Sequence, residues 1–138
     1  MDFRFRRTER LKSEKVISLL FKKGHSFSCY PLRLVYSEIT PLSKTEEPSD
    51  FSPIQFTLSV SKKKFKRAVD RNVLRRRIRE SYRLQKHELY LFLENNDSLK
   101  EKQFAFMVIY TAKEILPYPE IHKGIRKMIA KFKQEFGN

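Results

Sequence analysis

The chain has 138 residues, 40% hydrophobic and 33% charged, which is enough apolar material for one domain with a buried core. Thirty Lys and Arg against 16 Asp and Glu give a net charge of +14, which favours a polyanionic partner, nucleic acid before an anionic membrane surface. The single cysteine, Cys29, excludes an intrachain disulfide, and the longest apolar run, residues 104–110, is too short to span a bilayer.

The first third of the chain predicts one helix followed by two strands. Ser13 is a suitable N-cap, hydrophobic residues follow it at helical spacing, and Gly24 provides a stop. Residues 26–30 and 33–38 are rich in aromatic and branched side chains, which predicts two strands separated by Pro31. No apolar secretion signal follows the charged N-terminus, so we expect a soluble, cytoplasmic protein.

Residues 40–53 differ in composition from their surroundings. They are rich in proline, serine and acidic residues, which predicts an exposed insertion loop. A metal site built from Glu46, Glu47 and Asp50 is conceivable, but loop carboxylates without a histidine are usually solvated charge. We therefore predict no metal-binding residues on the protein.

The remaining segments predict two strands and two helices. Residues 54–60 alternate between apolar and polar, which indicates a half-buried strand. A helix is predicted from about residue 68 to 93, a central strand covered on both sides at 104–110, and a closing amphipathic helix over 121–136. The predicted fold is a single-domain α+β sandwich over residues 1–138, with the order α-β-β-β-α-β-α and a four-stranded sheet packed with helices.

The helix predicted in the middle of the chain is strongly basic. Residues 61–86 contain twelve Lys or Arg and two acidic residues, a net charge of +10. At about 100° per residue, six cations share a sector about 140° wide: Arg71, Arg75, Arg76, Arg79, Arg83 and Lys86. The apolar residues occupy most of the remaining circumference and are expected to dock on the sheet: Val73, Leu74, Ile78, Leu84 and Leu89. Ordinary solvated helix faces mix opposite charges, so this pattern favours phosphate binding.

The same segment resembles a known family. The run from Ser59 to Arg83 has Ser-Lys-Lys at a strand end and then Arg71-Asn72 in an arginine-rich helix, which closely resembles the signature of the bacterial ribonuclease P protein family. A second stretch agrees, through Arg10-Leu11-Lys12, Phe21-Lys22-Lys23-Gly24 and Leu34-Val35-Tyr36. The resemblance covers roughly residues 5–112, and a family-like closing helix follows.

The resemblance implies both a topology and a function. It implies that the two parallel strands on either side of the basic helix are joined by a left-handed crossover, although such crossovers are nearly always right-handed. It also implies that the protein joins a catalytic RNA, the ribonuclease P RNA subunit, which removes the 5′ leader from precursor tRNA. Mg²⁺ is then expected to be bound mainly by the RNA, with no catalytic residue on the protein and no protein partner or membrane required.

The resemblance also assigns binding residues. The expected contacts with RNA lie in and just before the basic helix: Lys62, Lys63, Arg67, Arg71, Asn72, Arg75, Arg76, Arg77, Arg79 and Arg83. The leader is expected in a cleft between the first helix and the sheet, with Phe21 and Tyr36 at matching positions, and Arg10 and Lys12 are predicted to belong to the same cleft. For both aromatic residues, packing in the core is the alternative interpretation.

Two positions depart from the pattern of the family. Val73 stands where the family usually has a third basic residue after Arg-Asn, and Arg77, one turn later, is the candidate to replace it. Ile17 stands where the family often has Phe, so the leader cleft would offer one stacking surface fewer.

The sequence shows no active site carried by the protein itself. The three histidines, His25, His87 and His122, are scattered without a carboxylate at a telling spacing, and we expect them at the surface. Three other functions stay open at this point: a structural RNA-binding protein of the ribosomal or assembly type, a self-sufficient metal-dependent nuclease, and a DNA-binding regulator.

Overall fold

The computed structural model describes residues 9–39 and 52–137. Within them lie three helices and four strands, in the predicted order: α1 (Glu14–Lys23), β1 (His25–Cys29), β2 (Leu32–Ile39), β3 (Ile54–Ser59), α2 (Ala68–Glu94), β4 (Gln103–Tyr110) and α3 (Tyr118–Gly137). None of these helices is both long enough and apolar enough to cross a membrane. Most of the insertion loop predicted at 40–53, including its three carboxylates, lies outside the described residues.

The four strands form one sheet in the order β1-β2-β4-β3. Strand β2 is antiparallel to both β1 and β4, whereas β3 runs parallel to β4, and α2 connects these two parallel strands. Strand β4 has a partner on each side and is buried along almost its whole length, which confirms the prediction of a central strand. The left-handed sense of the crossover and the assignment of the whole chain to one domain stay predictions.

The sheet separates two hydrophobic cores. Successive residues of a strand point to opposite faces, so β2 and β4 supply residues to both cores, whereas Phe27 of β1 and the apolar residues of β3 belong to the larger core. The larger core lies between the sheet and helices α2 and α3, and its aromatic members include Phe56, Tyr82, Phe104, Phe106 and Phe132. The smaller core lies under α1 and contains Leu11, Val16, Leu20, Val35, Ala105 and Met107.

Helix α1 begins and ends at the predicted residues. The N–H group of Val16 donates to the Ser13 side chain at 3.3 Å, which satisfies one of the amides left over at the helix start. At the other end, the N–H of Gly24 donates to the carbonyl of Leu20 at 3.0 Å. A side chain at Gly24 would collide with that carbonyl and come within 2.9 Å of Val35 Cγ1, so only glycine fits the close junction of α1 and β1.

Helix α2 packs on the sheet through residues that recur every three or four positions. Leu74, Ile78, Tyr82 and Leu89 are completely buried, and the ring of Tyr82 stacks on that of Phe56 with 4.0 Å between centroids. The expectation that Leu84 docks on the sheet is wrong, because its side chain is 39% exposed. Leu84 lies six residues after Ile78 and therefore about 120° around the helix from it, which is outside the contact face.

Ile78→Ala should lower the free energy of unfolding by about 2–5 kcal/mol, because it leaves a cavity in a fully buried site. Leu84→Ala on the same helix should change it by no more than about 0.5 kcal/mol, since Leu84 already contacts solvent. Urea denaturation followed by circular dichroism measures both, and equal losses would contradict this assignment of the buried face.

Candidate nucleic-acid interface

A cleft of about 310 Å³ opens at the outer edge of β3. The segment before α1 forms one wall, because Arg10 makes an isolated parallel bridge with Phe56 and the N–H of Leu11 donates to the Phe56 carbonyl at 2.9 Å. Helix α2 forms the opposite wall. The described residues that line it are Arg10, Leu11, Lys12, Phe56, Thr57, Leu58, Arg75 and Arg79; four of these eight are cationic and none is acidic.

Two elements that are distant in sequence each supply a pair of cations to this cleft. Arg75 and Arg79 lie four residues apart on α2 and therefore on one side of the helix. Arg10 and Lys12 are alternate residues of an extended segment, so their side chains also leave the backbone on one side. Arg10 and Lys12, which were predicted to contact the leader, thus line the same cleft as Arg75 and Arg79, two residues of the basic helix that were predicted to contact RNA.

The charge of the helical pair is not neutralised within the described part of the chain. Among residues 9–39 and 52–137, no carboxylate forms an ion pair with Arg75, Arg76 or Arg79. Cations held close together without a counterion repel one another, and an anion that enters between them relieves this repulsion. The cleft is therefore suited to an anionic ligand with several charges.

A second cationic surface lies where the chain enters α2. The Ser61 side chain accepts hydrogen bonds from the N–H groups of Lys63 and Lys64 at 3.2 and 3.3 Å, which orders this turn. Arg71 donates from Nη1 to the carbonyls of Phe65 and Lys66 at 2.8 and 3.0 Å and so ties the helix to the turn. The predicted residues Lys62, Lys63, Arg67, Asn72 and Arg76 are all exposed here.

The six-membered cationic stripe expected on α2 is only partly present. Lys86 is buried and bonds to Glu9 at 2.6 Å, so including it in the exposed stripe was wrong. Arg83 pairs with Glu80, three residues earlier on the same helix, at 2.5 Å. The hydrogen bond from Arg83 is the main reason why the pKa of Glu80 is lowered. The uncompensated cations are thus confined to the N-terminal half of α2, and a role of Arg83 in RNA binding stays a prediction.

Arg77 lies on a different side of α2 from the cleft. It stands two residues before Arg79 and therefore about 160° from it around the helix. Its Nη1 donates to the carbonyl of Leu116 at 2.7 Å, which holds the loop between β4 and α3 against α2. Whether Arg77 replaces the basic residue missing at Val73 stays a prediction.

The expectation that Tyr36 lines a cleft beside α1 is wrong. Tyr36 is only 5% exposed and belongs to the core on the opposite face of the sheet. Its ring packs on Phe132 with 5.1 Å between centroids, and its hydroxyl donates to Glu135 of α3. The adjacent residue, Val35, faces α1 instead, because neighbours in a strand alternate between faces.

Phe21 lies at the surface of α1. Its side chain is 66% exposed, so the alternative of packing in the core does not hold for this residue. An exposed ring of this kind can stack on a nucleic-acid base. It is not among the residues that line the cleft at the β3 edge, and its contact with the leader stays a prediction.

His122 is not the surface residue that the sequence suggested. It lies half-buried between α2 and α3, with its Nδ1 at 3.1 Å from the Ser81 hydroxyl and at 3.2 Å from the Tyr118 hydroxyl. Ser81 is completely buried, so this serine cannot reach a substrate. The group is a polar contact between two helices, and Ser81 is 41 residues from His122 in the sequence, a separation at which periodicity carries no signal.

Mg²⁺ does not fit the cationic cleft. This ion prefers oxygen ligands, above all carboxylates, and the lining residues that the structure describes include four cations and no carboxylate. The described residues also contain no cluster of three or more His, Cys, Asp or Glu side chains that could hold a metal ion.

Comparisons with known proteins agree with the architecture. The family model for ribonuclease P matches residues 5–133. The ribonuclease P protein component of Porphyromonas gingivalis strain ATCC 33277 is 35% identical over 131 residues, which cover 92% of this chain and 85% of the relative. The component of Chlorobaculum tepidum is 32% identical over 107 residues, covering 78% of this chain and 67% of the relative.

Solved structures show the same fold. The RNase P protein of Staphylococcus aureus superposes with a TM-score of 0.64 at 20% identity, covering 94% of this chain and 98% of that protein. The RNase P protein of Thermotoga maritima gives a TM-score of 0.64 at 19% identity, covering 89% and 96%. With the family model matched over nearly the whole sequence, the chain belongs to the ribonuclease P protein family.

Proposed function

We propose that the chain is the protein subunit of ribonuclease P, which binds the catalytic RNA subunit and the 5′ leader of precursor tRNA. In this role it assists removal of the leader, while the RNA carries out the hydrolysis. The observation that supports the proposal most directly is the meeting of Arg10 and Lys12 with Arg75 and Arg79 around one cleft whose described lining includes no acidic residue. Phosphate groups dominate the affinity of proteins for nucleic acids, and four convergent cations are suited to bind them.

The size and shape of the cleft favour a single strand. With a volume of about 310 Å³, the cleft can accommodate parts of a few nucleotides of a single strand, and it is too small for a double helix. The cations would contact phosphates, while the Thr57 side chain and the β3 edge offer polar groups to bases or sugars. A leader segment is single-stranded and therefore meets these requirements.

The cationic surface at the start of α2 is the proposed site for the RNA subunit. It adjoins the cleft, because Arg71 and Arg75 lie one turn apart on the same helix. A protein with both surfaces can hold two RNAs side by side and reduce the repulsion between their backbones.

In this proposal Mg²⁺ is held by the RNA, since the described lining of the cleft offers it no carboxylate. The complex is proposed to act in the cytoplasm, without a membrane or a further protein; the unpaired Cys29 is compatible with that reducing compartment.

The proposed division of labour is tested by incubating precursor tRNA and a low Mg²⁺ concentration with the protein alone, with RNase P RNA alone, and with both. We expect cleavage at the leader junction only in the combined reaction, because the protein supplies cationic binding surfaces and the RNA supplies the chemistry. Cleavage by the protein alone would identify a self-sufficient nuclease. Protein that binds both RNAs without promoting cleavage would indicate a structural RNA-binding protein.

The double substitution Arg75→Ala and Arg79→Ala should weaken binding of a single-stranded RNA and make it less dependent on salt. Two lost phosphate contacts should reduce the slope of log affinity against log salt by about 1.4, at about 0.7 per contact. Arg126→Ala with Lys127→Ala is the matched control, because both residues are exposed on α3 and neither lines the cleft. Fluorescence anisotropy at several salt concentrations measures the slopes, and equal slopes for the two variants would exclude the cleft as the binding site.

Arg77→Ala should weaken binding of the RNA subunit about five- to eightfold at 0.1 M salt if Arg77 replaces the basic residue missing at Val73. Lys133→Ala is a close control, since each residue donates one 2.7 Å hydrogen bond to another element, Arg77 to Leu116 and Lys133 to Glu88. Filter binding measures both affinities. Equal affinities would show that Arg77 has no such role.

A further inference from the structure

The residue directly before the cleft segment is a buried carboxylate. Glu9 is 5% exposed, and the Nζ atom of Lys86 on α2 lies 2.6 Å from its Oε1 and 2.7 Å from its Oε2. The hydroxyl of Tyr90, one turn further along α2, donates to Oε1 at 3.2 Å. Burial raises the pKa of Tyr90, so the hydroxyl keeps its proton and remains a donor.

A buried ion pair of this kind contributes little to stability on average. Moving both charges out of water costs several kcal/mol, which their attraction only roughly offsets, whereas the loss of one partner leaves a buried charge without compensation. Such a pair therefore selects one arrangement of the chain and disfavours others. Here it selects the position of the segment that carries Arg10 and Lys12.

The geometry connects this pair with the cleft. In the extended segment, Leu11 is buried while its neighbours Arg10 and Lys12 are exposed, as expected for residues that alternate in direction, and Glu9, directly before Arg10, is buried as well. Lys86 lies seven residues after Arg79, about 10 Å along α2. The ion pair thus attaches the segment to the same helix that forms the opposite wall of the cleft.

An attachment favours the cleft because like charges line both of its walls. Arg10 and Lys12 line one small cleft with Arg75 and Arg79, and the repulsion between these like charges opposes docking of the short segment at the β3 edge. The attraction between Glu9 and Lys86 is buried and therefore poorly screened by salt, so it can oppose that repulsion.

We propose that Glu9 and Lys86 are positioning residues that hold Arg10 and Lys12 in place to bind single-stranded RNA. The inference rests on the proposed function, because it assigns RNA to the cleft. Neither residue needs to contact the RNA. Their effect is to establish the arrangement of cations before the RNA arrives, so that binding does not have to order the segment.

The experiment uses the full chain with two substitutions of the pair and one control. Lys86→Met removes the cation of the pair and keeps the buried Glu9 carboxylate, whereas Glu9→Gln combined with Lys86→Met removes both charges of the pair and keeps nearly the same shape. Lys133→Met is the control, since Lys133 forms an ion pair with Glu88 at a similar distance, 2.7 Å, in a more exposed setting. Hydrogen exchange at the Leu11 amide reports docking of the segment, and anisotropy reports affinity for an eight-nucleotide oligouridylate.

Lys86→Met should reduce protection of the Leu11 amide by about tenfold or more, because the amide loses its bond to the Phe56 carbonyl when the segment leaves. Affinity for the oligouridylate should fall on the order of tenfold at 0.1 M salt. Adding Arg10→Ala and Lys12→Ala to Lys86→Met should weaken binding no further. The neutral pair should restore protection and affinity to within about twofold, and Lys133→Met should change neither.

Three results would overturn the proposal. Lys86→Met could leave both affinity and protection unchanged, it could weaken binding while protection stays intact, or Arg10→Ala with Lys12→Ala could cost as much affinity in that variant as in the wild type. Should Lys86→Met fail to fold, Glu9→Ala removes the pair from the other side and must show the same loss of protection.

If Arg10→Ala with Lys12→Ala leaves wild-type affinity unchanged, RNA does not bind in this cleft, and the proposed function fails with the inference. If only the Lys86→Met result is negative, the proposed function stands.

Discussion

The docking of a short N-terminal segment against the edge of β3 is the interaction on which the candidate site depends. The Arg10–Phe56 bridge and the Leu11 amide fix this segment along the strand, and Leu11 is anchored in the core under α1. Helix α2 alone would present a row of arginines on a convex surface. With the segment in place, two of these arginines become one wall of a cleft. An extended segment beside a strand edge therefore converts a charged face into a concave site.

The central strand explains how the remaining elements hold this site. Strand β4 lies between β2 and β3 and is buried on both faces, so helices cover the sheet from above and below. Helix α2 is fixed on one face through Leu74, Ile78 and Tyr82, and α1 is fixed on the other through Val16 and Leu20. The cleft lies at the edge where these two layers meet. Both of its walls are consequently attached to rigid parts of the molecule, which suits a site that has to hold several cations close together.

Sequence patterns predicted the elements of the fold well and the contacts between them poorly. Periodicity identified the order of helices and strands, because apolar spacing directly records which face of an element is buried. Periodicity failed for Lys86, whose partner Glu9 is 77 residues away, because no local pattern indicates such a pair. The family resemblance failed for Tyr36, whose side chain lies on the other face of the sheet from α1, since a shift of one residue along a strand changes the face. The cleft could be anticipated only in part, because the Arg10 and Lys12 pair meets α2 through tertiary docking.

The distribution of acidic residues along α2 explains which end of this helix is available for RNA. Among the described residues, the ion pairs that involve α2 lie around its second half: Glu80 pairs with Arg83, Glu9 with Lys86, and Glu88 with Lys133 of α3. In the first half, between Ala68 and Arg79, Asp70 is the only acidic residue of the helix. One half is therefore stabilised by internal ion pairs, while the other keeps a positive charge that no carboxylate of residues 9–39 or 52–137 neutralises in an ion pair. A polyanion gains most where it supplies the missing counterions, so it should approach the first half and leave the second as structural support.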